Sequence, residues 1–383
     1  MNVGAALSSN PDARGAGMEA ALEARNALGD RRADLAVVFA SPQFADGARA
    51  LLEAVHEAAG PAALIGCIAE GVIARGHEIE DRAAVSVWLA SLDARAEIST
   101  FAATWDEPSF EGLPAETEGA FLMLCDPYSF PAHLLLEMFN EKAPGATVMG
   151  GLASGSPGPG GTRLFLDDRV LDSGAVGARL SGNLEIRTLV SQGCRPIGPV
   201  LTVTRAEGNM ILELGGRTPL ERLKELYESL DEGDRRLVSR GLMLGRVIDE
   251  YRTDFGRGDF LVRGLLGADP ETGAVAVGDN VEVGQTVQFH VRDAPSADED
   301  LKEALASFRR ALGGREPGGA LLFTCNGRGT RMFDGPDHDA ALVTSELGAP
   351  VAGFFCAGEL GPVGGKNFLH GFTASMAVFV EQP

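Results

Sequence analysis

The chain has 383 residues, 45% of them hydrophobic and 23% charged, which is enough apolar material for two or three packed domains. Its 54 acidic residues against 33 basic ones give a formal net charge of -21, a field that repels phosphate backbones and anionic lipid, so nucleic acid is not an expected partner. No apolar run approaches the roughly 18 residues of a membrane-spanning helix, and the start, MNVGAALSSNPD, lacks the basic stretch and apolar core of a signal peptide, so a cytoplasmic protein with no membrane contact is the expectation.

Three segments along the chain share one pattern. Residues 35–71 (LAVVFASPQFADGARALLEAVHEAAGPAALIGCIAEG), 121–155 (FLMLCDPYSFPAHLLLEMFNEKAPGATVMGGLASG) and 321–358 (LLFTCNGRGTRMFDGPDHDAALVTSELGAPVAGFFCAG) each start with an apolar run of strand length. Each run ends on a polar residue, Ser41, Asp126 or Asn326, followed by Pro or Gly. A helical stretch comes next; in the first copy Ala48, Leu51, Leu52 and Val55 fall on one face. A second apolar run closes each copy on two glycines five apart: Gly66 and Gly71, Gly150 and Gly155, Gly353 and Gly358. This is a βαβ unit with strands buried on both sides, and the spacing predicts Gly66, Gly150 and Gly353 at strand ends.

Between the repeats, residues 83–89, 96–100, 174–180, 184–190 and 201–204 read as antiparallel strands, and residues 260–266 and 285–291 bracket the turn ADPETG. A helix is expected over 297–312. The LELGGRTPLERLKEL segment turns from strand to helix at residues 215–218, with Thr218 as N-cap and Pro219 at the first helical position. The fold class is therefore α/β, two lobes of mixed sheets with outer helices built on repeated βαβ units. The expected lobes are residues 1–215 and 216–383.

A crossover helix returns the chain to the same end of a parallel sheet, so the loops after both strands of a unit share one edge, where open α/β sheets bind ligands. In the third unit these loops are CNGRG (325–329) and CAGELG (356–361). Asn326, Arg328, Cys356, Gly358 and Glu359 then form one wall of a site for a small zwitterion, with cation and amides for a carboxylate and Glu359 for an amine. An Arg328–Glu359 salt bridge pinning the two loops is the alternative. The Gly- and Pro-rich segment 150–161, carrying Gly151 and Ser154, is either a lid over that site or a plain surface loop. In SQGCRPIG (191–198), Gly193 would allow close backbone approach and Arg195 offers a donor fork; a structural turn is the other reading.

Five cysteines, an odd number with no CxxC pair, sit mostly in apolar runs and fit a reducing compartment. Neither they nor the six scattered histidines have metal-ligand spacing. With no Walker lysine and no clean GxGxxG after the first strand, no cofactor is expected. A hydrolase or transferase built on Cys356 or Cys325, with Glu359 and His370, remains the alternative to a binding module.

The stretches IGCIAEG, GGLASG, SQGCRPIG, LVRGLLG, FTCNGRG, VAGFFCAGELGP and LHGFTASMAVF, in this order over nearly the whole chain, resemble the FIST family with its N-terminal and C-terminal modules. The resemblance implies a sensory, ligand-binding role toward amino acids or related metabolites. Family members often carry the module beside kinase, cyclase, chemotaxis or F-box segments. This chain leaves no room for such a segment, so a separate signalling protein would be the partner that carries its output.

Overall fold

A computed structural model describes residues 1–381. The apolar runs become strands and the helical periodicities become helices that cover them, in three successive passes. The first pass comprises β1 (Asn2–Ser8), α1 (Ala13–Leu28), β2 (Leu35–Ala40), α2 (Ala48–Ala59), β3 (Ala63–Ile68), the hairpin β4 (Val72–Ala74) with β5 (His77–Ile79), and β6 (Val85–Ser91). The second comprises β7 (Ala96–Asp106), β8 (Ser109–Glu111), β9 (Ala120–Cys125), α3 (Ala132–Lys142), β10 (Thr147–Leu152), the hairpin β11 (Leu164–Leu166) with β12 (Arg169–Leu171), and β13 (Ala175–Gly182). The third opens with β14 (Glu185–Gln192) and is interrupted by an insertion: β15 (Cys194–Glu207), β16 (Met210–Leu214), α4 (Pro219–Ser229), α5 (Glu232–Arg240), β17 (Leu242–Val247), β18 (Phe260–Ala268), β19 (Val275–Val277) and β20 (Thr286–Arg292). It resumes with α6 (Ala294–Leu312), β21 (Pro317–Cys325), α7 (His338–Leu347), β22 (Val351–Cys356), the hairpin β23 (Glu359–Val363) with β24 (Lys366–His370), and β25 (Thr373–Val380).

Two compact units result, residues 1–190 with those from 302 onward, and residues 191–301. The strand-to-helix turn expected at residues 215–218 is present. It lies within the second unit, where Thr218 and Glu221 form a reciprocal capping box at the start of α4.

In the first unit the three passes build three sheets of one plan. Their orders are β1-β6-β2-β3-β11-β12, β8-β7-β13-β9-β10-β23-β24, and β14-β25-β21-β22-β4-β5. The central pairs β2/β3, β9/β10 and β21/β22 are parallel, as a crossover helix demands. The hairpin after each pair does not stay in its own sheet. It pairs with the second parallel strand of another pass: β4 on β22, β23 on β10, and β11 on β3. Each pass lends a hairpin to a neighbour and receives one, which closes a pseudo-threefold cycle.

The first glycines of the repeats do not end their strands. Each lies inside one, opposite its register partner on the parallel neighbour: Gly66 opposite Val38, Gly150 opposite Met123, Gly353 opposite Leu322. A Cβ there would stand 2.1, 1.9 and 1.8 Å from the carbonyl oxygens of those same residues. On the other side each faces an apolar residue of the borrowed hairpin, Phe165, Leu360 or Ile73. The glycine removes the side chain that would force the parallel strands apart where the exchanged strand is received.

The inner faces of the three sheets share one core. Phe39 stacks on Phe354 with centroids 4.7 Å apart, Trp88 meets Phe379 at 4.9 Å, and Leu122, Leu124 and Met149 come from the second pass. The outer face of the first sheet lies under α1 and α2, which approach closely at Gly17 of α1, where a Cβ would stand 2.7 Å from Leu51 O of α2. The outer face of the second sheet lies under α3.

The second unit is a closed antiparallel barrel, β15-β16-β19-β18-β17-β20, filled by Ile197, Val203, Ile211, Leu244, Val287 and Phe289. Here the structure departs from the turn considered at SQGCRPIG. Cys194, Arg195 and Pro196 are strand residues, paired with Arg292, Val291 and His290, and the break is at Gly193 between β14 and β15.

Replacing Gly353 by Ala is expected to destabilise the protein by about 3 kcal/mol, because the strand pair cannot absorb a Cβ against a backbone carbonyl. Gly158→Ala, with no atom within 4 Å of the added Cβ, should stay within about 0.5 kcal/mol. Urea unfolding of both variants checks the contrast.

Candidate functional site

The three segments that leave the parallel pairs at their carboxyl ends, residues 69–71, 153–155 and 357–358, meet one another. Phe355 N donates to Gly71 O at 3.0 Å, Leu152 N to Gly358 O at 2.8 Å, and Ile68 N to Arg163 O at 2.9 Å. Aligning the repeats puts Glu70, Ser154 and Ala357 at one equivalent position. Ser154 Oγ accepts from Glu70 N at 2.9 Å and donates to Phe355 O. Arg331, about half exposed, ion-pairs with the Glu70 carboxylate and donates to Asn326 O at 2.8 Å. Glu70, Ser154, Asn326 and Arg331 therefore form one polar rim where the passes converge, and Ala357 beside it is exposed. Gly151 lies immediately behind, because a Cβ there would stand 2.5 Å from Cys356 Sγ and 3.1 Å from Gly358 O.

Beneath the rim lies a buried polar cluster. Arg328 is wholly buried and does not pair with Glu359. Its Nε and Nη2 donate to the two oxygens of Asp339, at 2.6 and 2.8 Å, and its guanidinium stands 5.4 Å from the Phe333 ring. Burial alone would raise the Asp339 carboxyl. The charge and hydrogen bonds of Arg328, with Thr324 Oγ1 at 2.8 Å, outweigh that and hold it well below the usual range. The pair fixes the CNGRG loop to the first turn of α7.

Glu359 is buried by the same sheet edge. Its Oε2 accepts from Thr373 N at 3.2 Å and Oγ1 at 2.8 Å, while Oε1 has no hydrogen-bond partner among the described residues. Burial pushes its carboxyl up to about 8, against the opposing pull of Thr373. Arg328 Nη1 is likewise without a partner there. At neutral pH the cluster is a balanced ion pair beside a mostly neutral acid, the arrangement by which buried ionisable groups avoid an isolated charge.

The remaining residues singled out from the sequence fall as follows. Cys356 is fully buried in β22 opposite Cys325, and burial pushes both thiols up; since the thiolate is the nucleophile, neither is activated in this state. His370 Nε2 contacts Gly361 O at 2.9 Å. Gly193 and Arg195 belong to the second unit, where Asp234 and Asp293 engage the Arg195 guanidinium. Sequence reasoning missed Glu70, Arg331, Asp339 and Thr373. Glu70 was open to discovery through its repeat equivalence with Ser154; the other three carry no local mark.

The model of the FIST N domain matches residues 34–217 and that of the FIST C domain matches residues 219–362. Two uncharacterized proteins are similar over their whole length: one of Mycobacterium tuberculosis, 51% identical over 385 residues and covering 100% of both chains, and one of Mycobacterium bovis, 49% identical, covering 100% of this chain and 99% of its own.

Arg328→Ala would leave Asp339 buried without its cation and should cost about 3–5 kcal/mol of stability in urea unfolding. Glu359 predicts a pH dependence. Its folded-state pKa lies above the unfolded value, so the folded protein holds the extra proton, and this contribution is complete below about pH 4.5 and lost as pH rises through about 8. Glu359→Gln, which keeps the neutral shape, should therefore lose less stability than the parent chain between pH 6 and 9. Urea midpoints at pH 6, 7.5 and 9 measure it, and parallel curves would contradict the assignment.

Proposed function

We propose that this chain, which belongs to the FIST family, senses a small polar metabolite at the rim where the three passes converge. FIST domains are sensory domains of signalling proteins, and the ligand and its site are our reading. The observation that carries it is the rim itself: a guanidinium, a carboxylate, a hydroxyl and the backbone carbonyl of Asn326, from three separate repeats, gathered at one sheet edge. That set suits an amino-acid-like zwitterion, with Arg331 taking the carboxylate and Glu70 the amine. An exposed ion pair such as Arg331–Glu70 is worth only ~0–1 kcal/mol, so it opens to a ligand at small cost. Asn326 and Ser154 orient the ligand, Gly151 and Gly358 allow the backbone to approach, and Cys356, Arg328 and Glu359 support the wall from behind. A change in the Arg328–Asp339 clamp would pass from this edge to α7, and a separate signalling protein would read it out.

A thermal-shift screen of the full chain against amino acids and related zwitterions tests this. A ligand of the folded state present at 100 times its Kd adds about 2.7 kcal/mol of stability. We expect at least one hit, abolished by Arg331→Ala and weakened by Asn326→Ala. The reading fails if no zwitterion shifts the transition, or if the shift survives both substitutions.

A further inference from the structure

The hairpin β4–β5, lent by the first pass to the third, is fastened to α7 by a reciprocal pair of side chains. Asp337, the residue before α7, has φ +72° in the left-handed region. An aspartate at this position ordinarily caps its own helix. Asp337 does not: its carboxylate accepts from Glu78 N of β5 at 2.6 Å and contacts His77 Nδ1 at 3.1 Å. The helix takes its cap from the hairpin instead, because Glu78 Oε1 accepts from Ala340 N at 2.9 Å, 262 residues away in the chain. Each element satisfies one backbone donor of the other, as a capping box does within one segment. The hairpin turn closes against the same helix, where a Cβ on Gly76 would stand 3.7 Å from Ala341 Cα. Glu78 is buried, and its Oε2 has no hydrogen-bond partner among the described residues.

We infer that this reciprocal pair is a pH-sensitive latch: a proton on Glu78 keeps the lent hairpin fastened to α7, and loss of that proton loosens both. The groups around Glu78 set the direction. Asp339 of α7, Glu80 after β5 and Asp337 all place negative charge near it, while β4, which pairs with Glu78 at Ile73, carries no charged residue. Arg328 is held by Asp339, Glu80 accepts from Thr330 N and Oγ1 at 2.9 and 3.1 Å, and the exposed Asp81 and Arg82 line the adjoining cavity. Burial, and then the charge of Asp339, lifts the Glu78 carboxyl to about 7, against the pull of Ala340 N. The folded value lies above the unfolded one, so this contribution is complete below about pH 4.5 and lost as pH rises through about 7. Asp339 also clamps Arg328 of the CNGRG loop, so loosening the start of α7 reaches that loop. The latch stands whether or not the rim binds a zwitterion.

Amide hydrogen exchange of the full chain at pH 5.5 and 7.5, corrected for the intrinsic pH dependence of exchange, tests the latch. All samples carry Glu359→Gln, so that the other raised carboxyl does not titrate. Between the two pH values, opening of residues 77–79 and 339–343 should increase by about tenfold or more, while α1 keeps its protection. Glu78→Gln, which keeps the shape and cannot ionise, should abolish the increase, and His77→Gln should leave it in place. If Glu78→Gln does not fold, the size and confinement of the increase in the starting chain, together with His77→Gln, decide the question. Protection that does not change with pH overturns the inference. So does an increase spread equally over α1, one that survives Glu78→Gln, or one that disappears with His77→Gln.

Discussion

The exchange of hairpins among the three passes constrains everything else in the first unit. A strand of three residues, such as β4 or β11, cannot hold a sheet edge by its own hydrogen bonds; it is kept by pairing beside the second strand of a parallel pair and by packing its side chains into the shared core. Gly66, Gly150 and Gly353 make that reception sterically open, at one register in each sheet, by leaving the space next to a neighbouring carbonyl empty. Because each pass both lends and receives, no pass can complete its sheet alone. The common core of Phe39, Phe354, Trp88 and Phe379 is the apolar consequence of that closure.

The same exchange accounts for where the polar groups go. A chain segment leaving one sheet for another must cross at the carboxyl end of the parallel pair, and three such crossings meet there. Backbone groups at the crossings bond to one another, as Phe355 to Gly71 and Leu152 to Gly358. The side chains that could not be buried, Arg331 and Glu70, stay at the surface, while Arg328 and Glu359 are enclosed. Enclosure imposes its own conditions: Arg328 is tolerable only with Asp339 at hydrogen-bond distance, and Glu359 only by holding its proton. The rim is thus supported by a cluster whose charges are internally settled, which leaves the exposed ion pair as the part able to change partners.

The barrel enters the chain between β14 and α6, inside the third pass, and keeps its own core and its own ion pairs. Arg195 illustrates the separation. Its fork of donors, which suggested a ligand contact, is spent on Asp234 and Asp293 of the same unit.

The repeated βαβ units, their helices and the edge where their loops gather were legible in the sequence, since apolar runs of six and helical spacings of three and four are local properties of the chain. The family was legible too, from short motifs kept in order. The hairpin exchange was not, because nothing in VIA or LFL says which distant strand will accept it. The glycines were visible as a repeat, but their spacing suggested strand ends, and only the register of the neighbouring strand shows them to be points of close approach. The partners of the site were hidden for the same reason: Arg331 and Glu70 are 261 residues apart, and Ser154 reaches Phe355 across 201. Local sequence determines which segments are strands and helices; pairing between distant segments is decided by the packing of the whole unit, and it is pairing that brings charged groups together.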